Sequence, residues 1–487
     1  MSDSDTADGI VFPLDEQGRR STTATGQAVV ALALAGADDT GARSAFSESS
    51  WRSGYPEHFR RLVEAGVGDA DRARRIAAQG IDAVHERMRV HVDGEDRRLA
   101  TWEPAGPPLE TRRVDGSAEP SREVSLPYRG ERLRGDALLR QVDDWIADGV
   151  VEPTVGDAVR LVIDNPDWLR CEGRLVAAVG ATSEMGPVPA LLRWGARVAA
   201  VDLPRRDLWE RLEKTAEAGA GTLLAPQAAG ADVLGVDLLS EVPRLADWLT
   251  VTAAETGDAL VVGNYVYADG GLNMRVATAV DELSRRLLDR EPATALAFLA
   301  TPTDVFVVPG EVVDHATTRY EERSGLAKNL GRTLRTVSAG RLLQRQYRPG
   351  VDPAIHDAIV PQQGPNYALA KRLQRWRAVD ARAAGATVSM NIAPPTRTRS
   401  VIKNRALAAA YAGAHRFGVQ IFDPATSAVL EAILLVHDLH TDGGPRYDEP
   451  WRDEAYAAAH GGLWRSPFAP RSALGLSALL GIGSVTG

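Results

Sequence analysis

Tyr367 and Lys371 stand four residues apart in the run Tyr367-Ala-Leu-Ala-Lys371. Side chains so spaced share one face of a helix, so a phenol and an ammonium can address a single substrate. A free phenol has a pKa of about 10, too weak an acid for proton transfer at neutral pH. A nearby ammonium stabilises the phenolate and brings that value toward the working range, which suits acid–base chemistry at a carbonyl or alcohol oxygen. Lysine is scarce in this chain. Only Lys214, Lys328, Lys371 and Lys403 occur, and arginine supplies nearly all the remaining positive charge.

A second constellation lies upstream, in Gly180-Ala-Thr-Ser-Glu-Met-Gly186. An apolar run, Leu175–Val179, precedes it and a helical pattern, Pro189–Trp194, follows. A strand, a glycine turn and a helix start aim backbone N–H groups and a positive helix end at a pyrophosphate. Gly180, Thr182, Ser183, Met185 and Gly186 are the turn's candidate cofactor contacts. The next apolar run, Arg197–Val201, ends in Asp202, 22 residues beyond Gly180. A carboxylate there accepts hydrogen bonds from an adenosine ribose, which favours NAD over NADP. Arg205 and Arg206 follow closely and can instead hold a 2′-phosphate, so both cofactors stay open.

These residues need a sheet to carry them. Short apolar runs recur at Val233–Val236, Ala259–Val262, Leu296–Ala300 and Thr387–Ile392, with helical stretches such as Val242–Leu249 and Ala277–Leu288 between most of them. Buried strands alternating with helices imply an α/β fold with a doubly wound parallel sheet of Rossmann type. The expected division is a mainly helical N-terminal region over 1–172, a first Rossmann part over 173–303 and a helical insertion over 304–363. A second Rossmann part with the Tyr/Lys helix spans 364–445, and a tail spans 446–487. Residues 103–127, rich in Pro, Gly and Glu, read as a connector or exposed arm. The first fifty residues mix Gly, Ser, Thr and Asp, and part of them is expected to lack fixed structure. The insertion, rich in Arg and Leu over 326–346, reads as a lid or interface element with a solvated helix.

In order and spacing, the segments 173–303 and 361–440 resemble the short-chain dehydrogenase/reductase family. The turn at Gly180–Gly186 is similar to that family's first loop and Asp202 to its second-strand acid. Asp237 resembles the aspartate that contacts adenine, and Gly263-Asn264 carries a trace of the family's Asn-Asn-Ala-Gly segment. Asn273 falls where the family places its catalytic asparagine. Thr301 or Thr303 stands near the family's serine, and Ala393-Pro-Pro-Thr-Arg-Thr398 resembles its loop at the nicotinamide end, which makes Pro394 and Thr396 cofactor contacts. The resemblance implies hydride transfer between NAD or NADP and a carbonyl/alcohol pair. Tyr367 would be the acid/base, and Lys371 would lower its pKa and hold the nicotinamide ribose. A threonine would orient the carbonyl, and Asn273 would anchor a water that relays protons to Lys371. Three departures stand out. Glu184 replaces the middle glycine, Pro187 follows the last one, and 66 residues separate Thr301 from Tyr367. They keep two alternatives open: a catalytically silent scaffold that binds a nucleotide or partner, and a related lyase or isomerase that retains its cofactor.

The net charge of -9 argues against general nucleic-acid or anionic-membrane binding. A single cysteine, Cys171, excludes an intramolecular disulfide framework and reads as a buried filler. The acidic start, Met1–Gly9, has no targeting character, so a cytoplasmic location is expected. His437, Asp438, His440 and Asp442 read as a polar loop, with no metal implied. Ser183, Ser338 and Ser472 lack the context of a hydrolase nucleophile. Trp451, Trp464 and Phe468 read as packing residues. The expected partner is a small-molecule substrate. Relatives often form a homodimer through the helices flanking the active site, and here the N-terminal region and insertion are long enough to cover those faces.

Overall fold

A computed structural model describes residues 8–485, so residues 1–7 of the acidic start lie outside the described residues. Seven strands form the main sheet: β1 (Glu110–Asp115), β2 (Arg174–Val179), β3 (Arg197–Val201), β4 (Thr222–Gln227), β5 (Ala259–Asn264), β6 (Ala295–Ala300) and β7 (Val388–Ile392). Their order is β7-β6-β5-β2-β3-β4-β1. Every pairing from β7 to β4 is parallel, and β1 closes the far edge antiparallel to β4. The order reverses between β2 and β5, where a doubly wound sheet opens a crevice at the carboxyl ends of its strands. The architecture is Rossmann-like α/β.

Alternation along each strand divides the core in two. Leu175, Ala177 and Val179 of β2 face one hydrophobic cluster, and Val176 and Ala178 face the other. Helices α1 (Ala70–Arg87), α3 (Leu238–Thr256), α4 (Gly270–Arg290) and α5 (Pro365–Ala383) build the first layer, while α2 (Val188–Trp194) and α6 (Pro424–His440) belong to the second. Nearly every β2 and β3 side chain is buried, as two covered faces require.

Several sequence expectations change. The run Val233–Val236 forms no strand; the third parallel strand is Thr222–Gln227, disguised by Pro226. Asp237 therefore follows a loop and caps α3, accepting a hydrogen bond from Leu239 N at 2.9 Å. The arm at 103–127 supplies β1, whose Glu110–Asp115 pairs with all six residues of β4 and covers an otherwise open edge. The polar start contains two helices, Thr22–Leu34 and Asp39–Phe46, and the mainly helical region also holds a small sheet. His437 and Asp438 lie buried in α6 instead of in a polar loop, and Asp438 is fixed by Ser389 and Asn391.

The insertion leaves and rejoins the sheet through one antiparallel ladder, Val305–Val308 against Ala354–Asp357. This closure resolves the long gap before Tyr367, because both ends of the insertion meet at its base. There Ala358 N bonds Asp304 O, while the Asp304 carboxylate receives Arg372 at 2.7 Å and Arg375 at 2.8 Å from α5. On the outer side, α1 crosses α5 closely: a Cβ on Gly80 would meet the Trp376 ring at 2.4 Å. The chain's own N-terminal region thus covers this side of α5. Among the described residues, no helix is long and apolar enough to cross a membrane.

Candidate functional site

A cleft of about 1220 Å³ runs along the carboxyl ends of β2, β3, β5 and β6. It begins at the Gly180 turn and ends beneath a segment that follows β7. Gly180 has φ +83°, and a Cβ there would come within 2.9 Å of the Tyr265 carbonyl carbon and Val266 N. Glycine is required because the ends of β2 and β5 approach so closely. Thr182, Ser183, Met185, Asp202, Asp237, Asn264, Pro394 and Thr396 line the same cleft, whereas Gly186 lies outside its lining.

Asp202 is already engaged. Its Oδ2 accepts Thr182 N at 2.9 Å and Thr182 Oγ1 at 2.6 Å, tying the glycine turn to the end of β3. Its other oxygen accepts Leu203 N. Arg205 and Arg206 point elsewhere, to Asp207 and Asp232. Thr396 donates to Pro394 O and shares a hydrogen bond with Ser427, which fixes the loop after β7.

At the other end, Gly364 and Pro365 start α5, with the proline at a position where its missing N–H costs nothing. Tyr367 and Lys371 then sit one turn apart and both line the cleft. Thr301 follows the last residue of β6, and its hydroxyl acts on the Tyr367 phenol to lower its pKa. Thr303 reaches Thr301 at 2.8 Å and donates to Gln363 at 3.0 Å, so it supports Thr301 from outside the cleft. Asn273, in the first turn of α4, also stands outside the lining; its Oδ1 accepts Ala268 N at 3.0 Å and holds the cleft rim. That hydrogen bond fixes the loop carrying Ala268.

One electrostatic expectation is reversed. Burial pushes the Tyr367 phenol up to about 12, outweighing the lowering effect of the Thr301 hydroxyl. The Lys371 ammonium donates to Leu299 O at 3.1 Å and Gln374 Oε1 at 3.2 Å. Burial lowers Lys371 itself to about 8.

Residues not singled out in the sequence complete the site. The Tyr267 ring lies edge-on to Tyr367, with centroids 6.3 Å apart, and its hydroxyl donates to Asp269. Tyr411 lines the cleft from the segment after β7. Nothing in their local spacing marks either residue, since strands and helices distant in sequence bring them in. Asn264 Oδ1 is buried at the end of β5 with no hydrogen-bond partner among the described residues. An orphaned acceptor in a cleft lined by a glycine turn, a tyrosine and a lysine fits a polar ligand the size of a dinucleotide. At the turn itself, Glu184 presents a carboxylate where a pyrophosphate would approach.

No protein-family model and no curated protein sequence matches the chain. Among solved structures, it is similar to a mutant short-chain dehydrogenase/reductase from Serratia marcescens, at 13% identity and TM-score 0.28, covering 53% of this chain and 87% of that one. It is also similar to an NADH-dependent reductase, A1-R′, described as responsible for alginate metabolism (12%, TM-score 0.26, 53% and 86%). A third is the terminal R domain from the myxalamid PKS-NRPS biosynthetic pathway (15%, TM-score 0.28, 53% and 61%). Scores this low carry no inference about what the chain does.

Proposed function

We propose that this chain is a nicotinamide-dependent oxidoreductase of the short-chain dehydrogenase/reductase type, acting on a carbonyl/alcohol pair of a small molecule. The observation that carries the reading is that Tyr367, Lys371 and Thr301 line one cleft with the Gly180 turn, at the reversal point of the sheet. A bound nicotinamide supplies or accepts the hydride. In the reductive direction Tyr367 gives its phenolic proton to the carbonyl oxygen. A pKa of about 12 keeps that proton in place until the oxygen becomes basic enough to take it. Thr301, which lines the cleft with Tyr367, orients the oxygen through its hydroxyl. Lys371, charged below about pH 8, stabilises the phenolate left behind and offers a donor to a ribose hydroxyl.

At the opposite end Asp202 accepts from the adenosine ribose, which favours NAD over NADP, and Asp237 stands beside the adenine. Asn273 acts by fixing the backbone of Ala268 at the rim. The test is fluorescence titration of NADH and NADPH into the wild type and Asp202→Ala. NADH is expected to bind more tightly, and the substitution to weaken it about tenfold, as loss of charge-assisted hydrogen bonds does. Binding of neither cofactor would discard the reading in favour of a silent scaffold, which the Glu184 carboxylate in the turn favours.

A further inference from the structure

The segment after β7 folds over the mouth of the cleft as two short helices, Arg399–Lys403 and Arg405–Gly413. It carries Arg397, Arg399, Lys403 and Arg405 within nine residues of a chain whose net charge is -9. Arg399, Lys403 and Arg405 line the cleft. Only Arg399 has an acidic partner: among the described residues, no carboxylate lies within 4.0 Å of Arg397, Lys403 or Arg405. That partner is Glu184, the residue that replaces glycine in the phosphate turn. Glu184 Oε2 accepts Arg399 N at 2.8 Å, and Oε1 meets Arg399 Nε at 3.1 Å. Ser400 of the segment lines the cleft with Tyr267, the ring that abuts Tyr367.

A carboxylate bonded at once to a backbone N–H and to its guanidinium reproduces the contacts a phosphate oxygen would make. We propose that the segment Arg397–Arg405 is an anion-binding lid, and that Glu184 occupies its anion site until a phosphate-type anion displaces it. On entry of that anion, Glu184 swings out to solvent, where its side chain is already one-third exposed (33%). Arg399 passes from Glu184 to the ligand, and Lys403 and Arg405 close on it from the same segment. The anion comes from one of two sources, the pyrophosphate of a dinucleotide or an anionic group on the substrate. The lid stands on the geometry of the cleft mouth and does not rest on the reductase reading.

The probe is inorganic pyrophosphate, titrated by calorimetry into the full chain at low and high salt. The wild type is expected to bind it, with affinity falling as salt rises. Glu184→Gln should tighten binding roughly threefold by removing the competing charge. The exposed triple variant Arg397→Ala/Lys403→Ala/Arg405→Ala should weaken it roughly tenfold without disturbing the fold. Absence of binding to Glu184→Gln, or unchanged affinity in the triple variant, overturns the lid. NADH titration of the same variants separates the sources: a parallel loss assigns the site to the cofactor's pyrophosphate, and unchanged NADH affinity assigns it to the substrate. Pyrophosphate binding without any NADH binding would leave the lid standing and remove the reductase reading alone.

Discussion

Two stretches of α5 treat their cations in opposite ways: Tyr367 and Lys371 line the cleft, and Arg372, Arg375 and Arg377 lie outside its lining. In the cleft, Lys371 has no carboxylate partner among the described residues and is held by a carbonyl and an amide. Away from it, Arg372 and Arg375 share Asp304, Arg375 also grips Glu454, and Arg377 takes both oxygens of Asp281 at 2.9 Å. All three arginine side chains are nearly inaccessible. Acids around Arg372, Arg375 and Arg377 lock the helix in position, and their absence at Lys371 leaves a lysine whose charge the cleft environment controls. A carboxylate beside Lys371 would raise its pKa and occupy the donor that a substrate or ribose needs.

Substitutions in each stretch should therefore fail differently. On the cleft side, Tyr367→Phe is expected to cut turnover by about 10²–10⁴-fold while leaving NADH affinity and unfolding midpoint unchanged. Loss of stability instead would show that the phenol is only packing. Outside the cleft lining, Asp304→Ala strands buried arginine charge and should cost about 3–5 kcal/mol of stability, read by chemical denaturation. Activity per folded molecule should fall less, since Asp304 lies outside the cleft lining and acts on Tyr367 only through its charge.

A smaller effect follows from pH. His85 of α1 bonds Asp281 at 2.6 Å and contacts Glu282 at 3.1 Å. Burial alone would lower its pKa, yet these carboxylates lift it from 6.5 to about 9. A raised value means the folded state holds the proton more tightly. The stabilisation, roughly 2–3 kcal/mol, is complete below about pH 6.5 and is lost as pH rises through about 9. Denaturation between pH 6 and 10 should show this slope, and His85→Gln should flatten it. The smallest expected shift concerns Lys371. Its charge disappears through about pH 8, so kcat/KM for reduction should fall across that value. Lys371→Arg should move the limb upward by more than one pH unit. A profile flat through pH 8 in the wild type would remove Lys371 from the proton chemistry.

Much of the fold was legible because period and chemistry agreed. Leu175–Val179 and Arg197–Val201 read as doubly buried strands, and both are. Thr222–Gln227 was missed because Pro226 breaks the expected pattern, while the apolar Val233–Val236 packs as a loop. Glu110–Asp115 has four charged residues in six and reads as an arm, and only its ladder with β4 makes it a strand. At the site, the helical spacing of Tyr367 and Lys371 was visible, as were the turn and Asp202. The choice between Thr301 and Thr303 was not, because both hydroxyls bond each other and their distance from Tyr367 depends on how the chain leaves β6.

What the sequence by itself determined is the local and periodic part: alternating buried strands and helices, a glycine turn that needs positive φ, and a phenol and ammonium one helical turn apart. These follow from backbone sterics and helix geometry, which act over a few residues. The tertiary structure alone decided which charges meet. Asp304 reaches α5, Glu184 reaches Arg399 and His85 reaches Asp281 across separations of 68 to 215 residues. Electrostatic environment is set by distance and burial in space. That is why a tyrosine expected to be acidified by its lysine instead holds its proton more tightly.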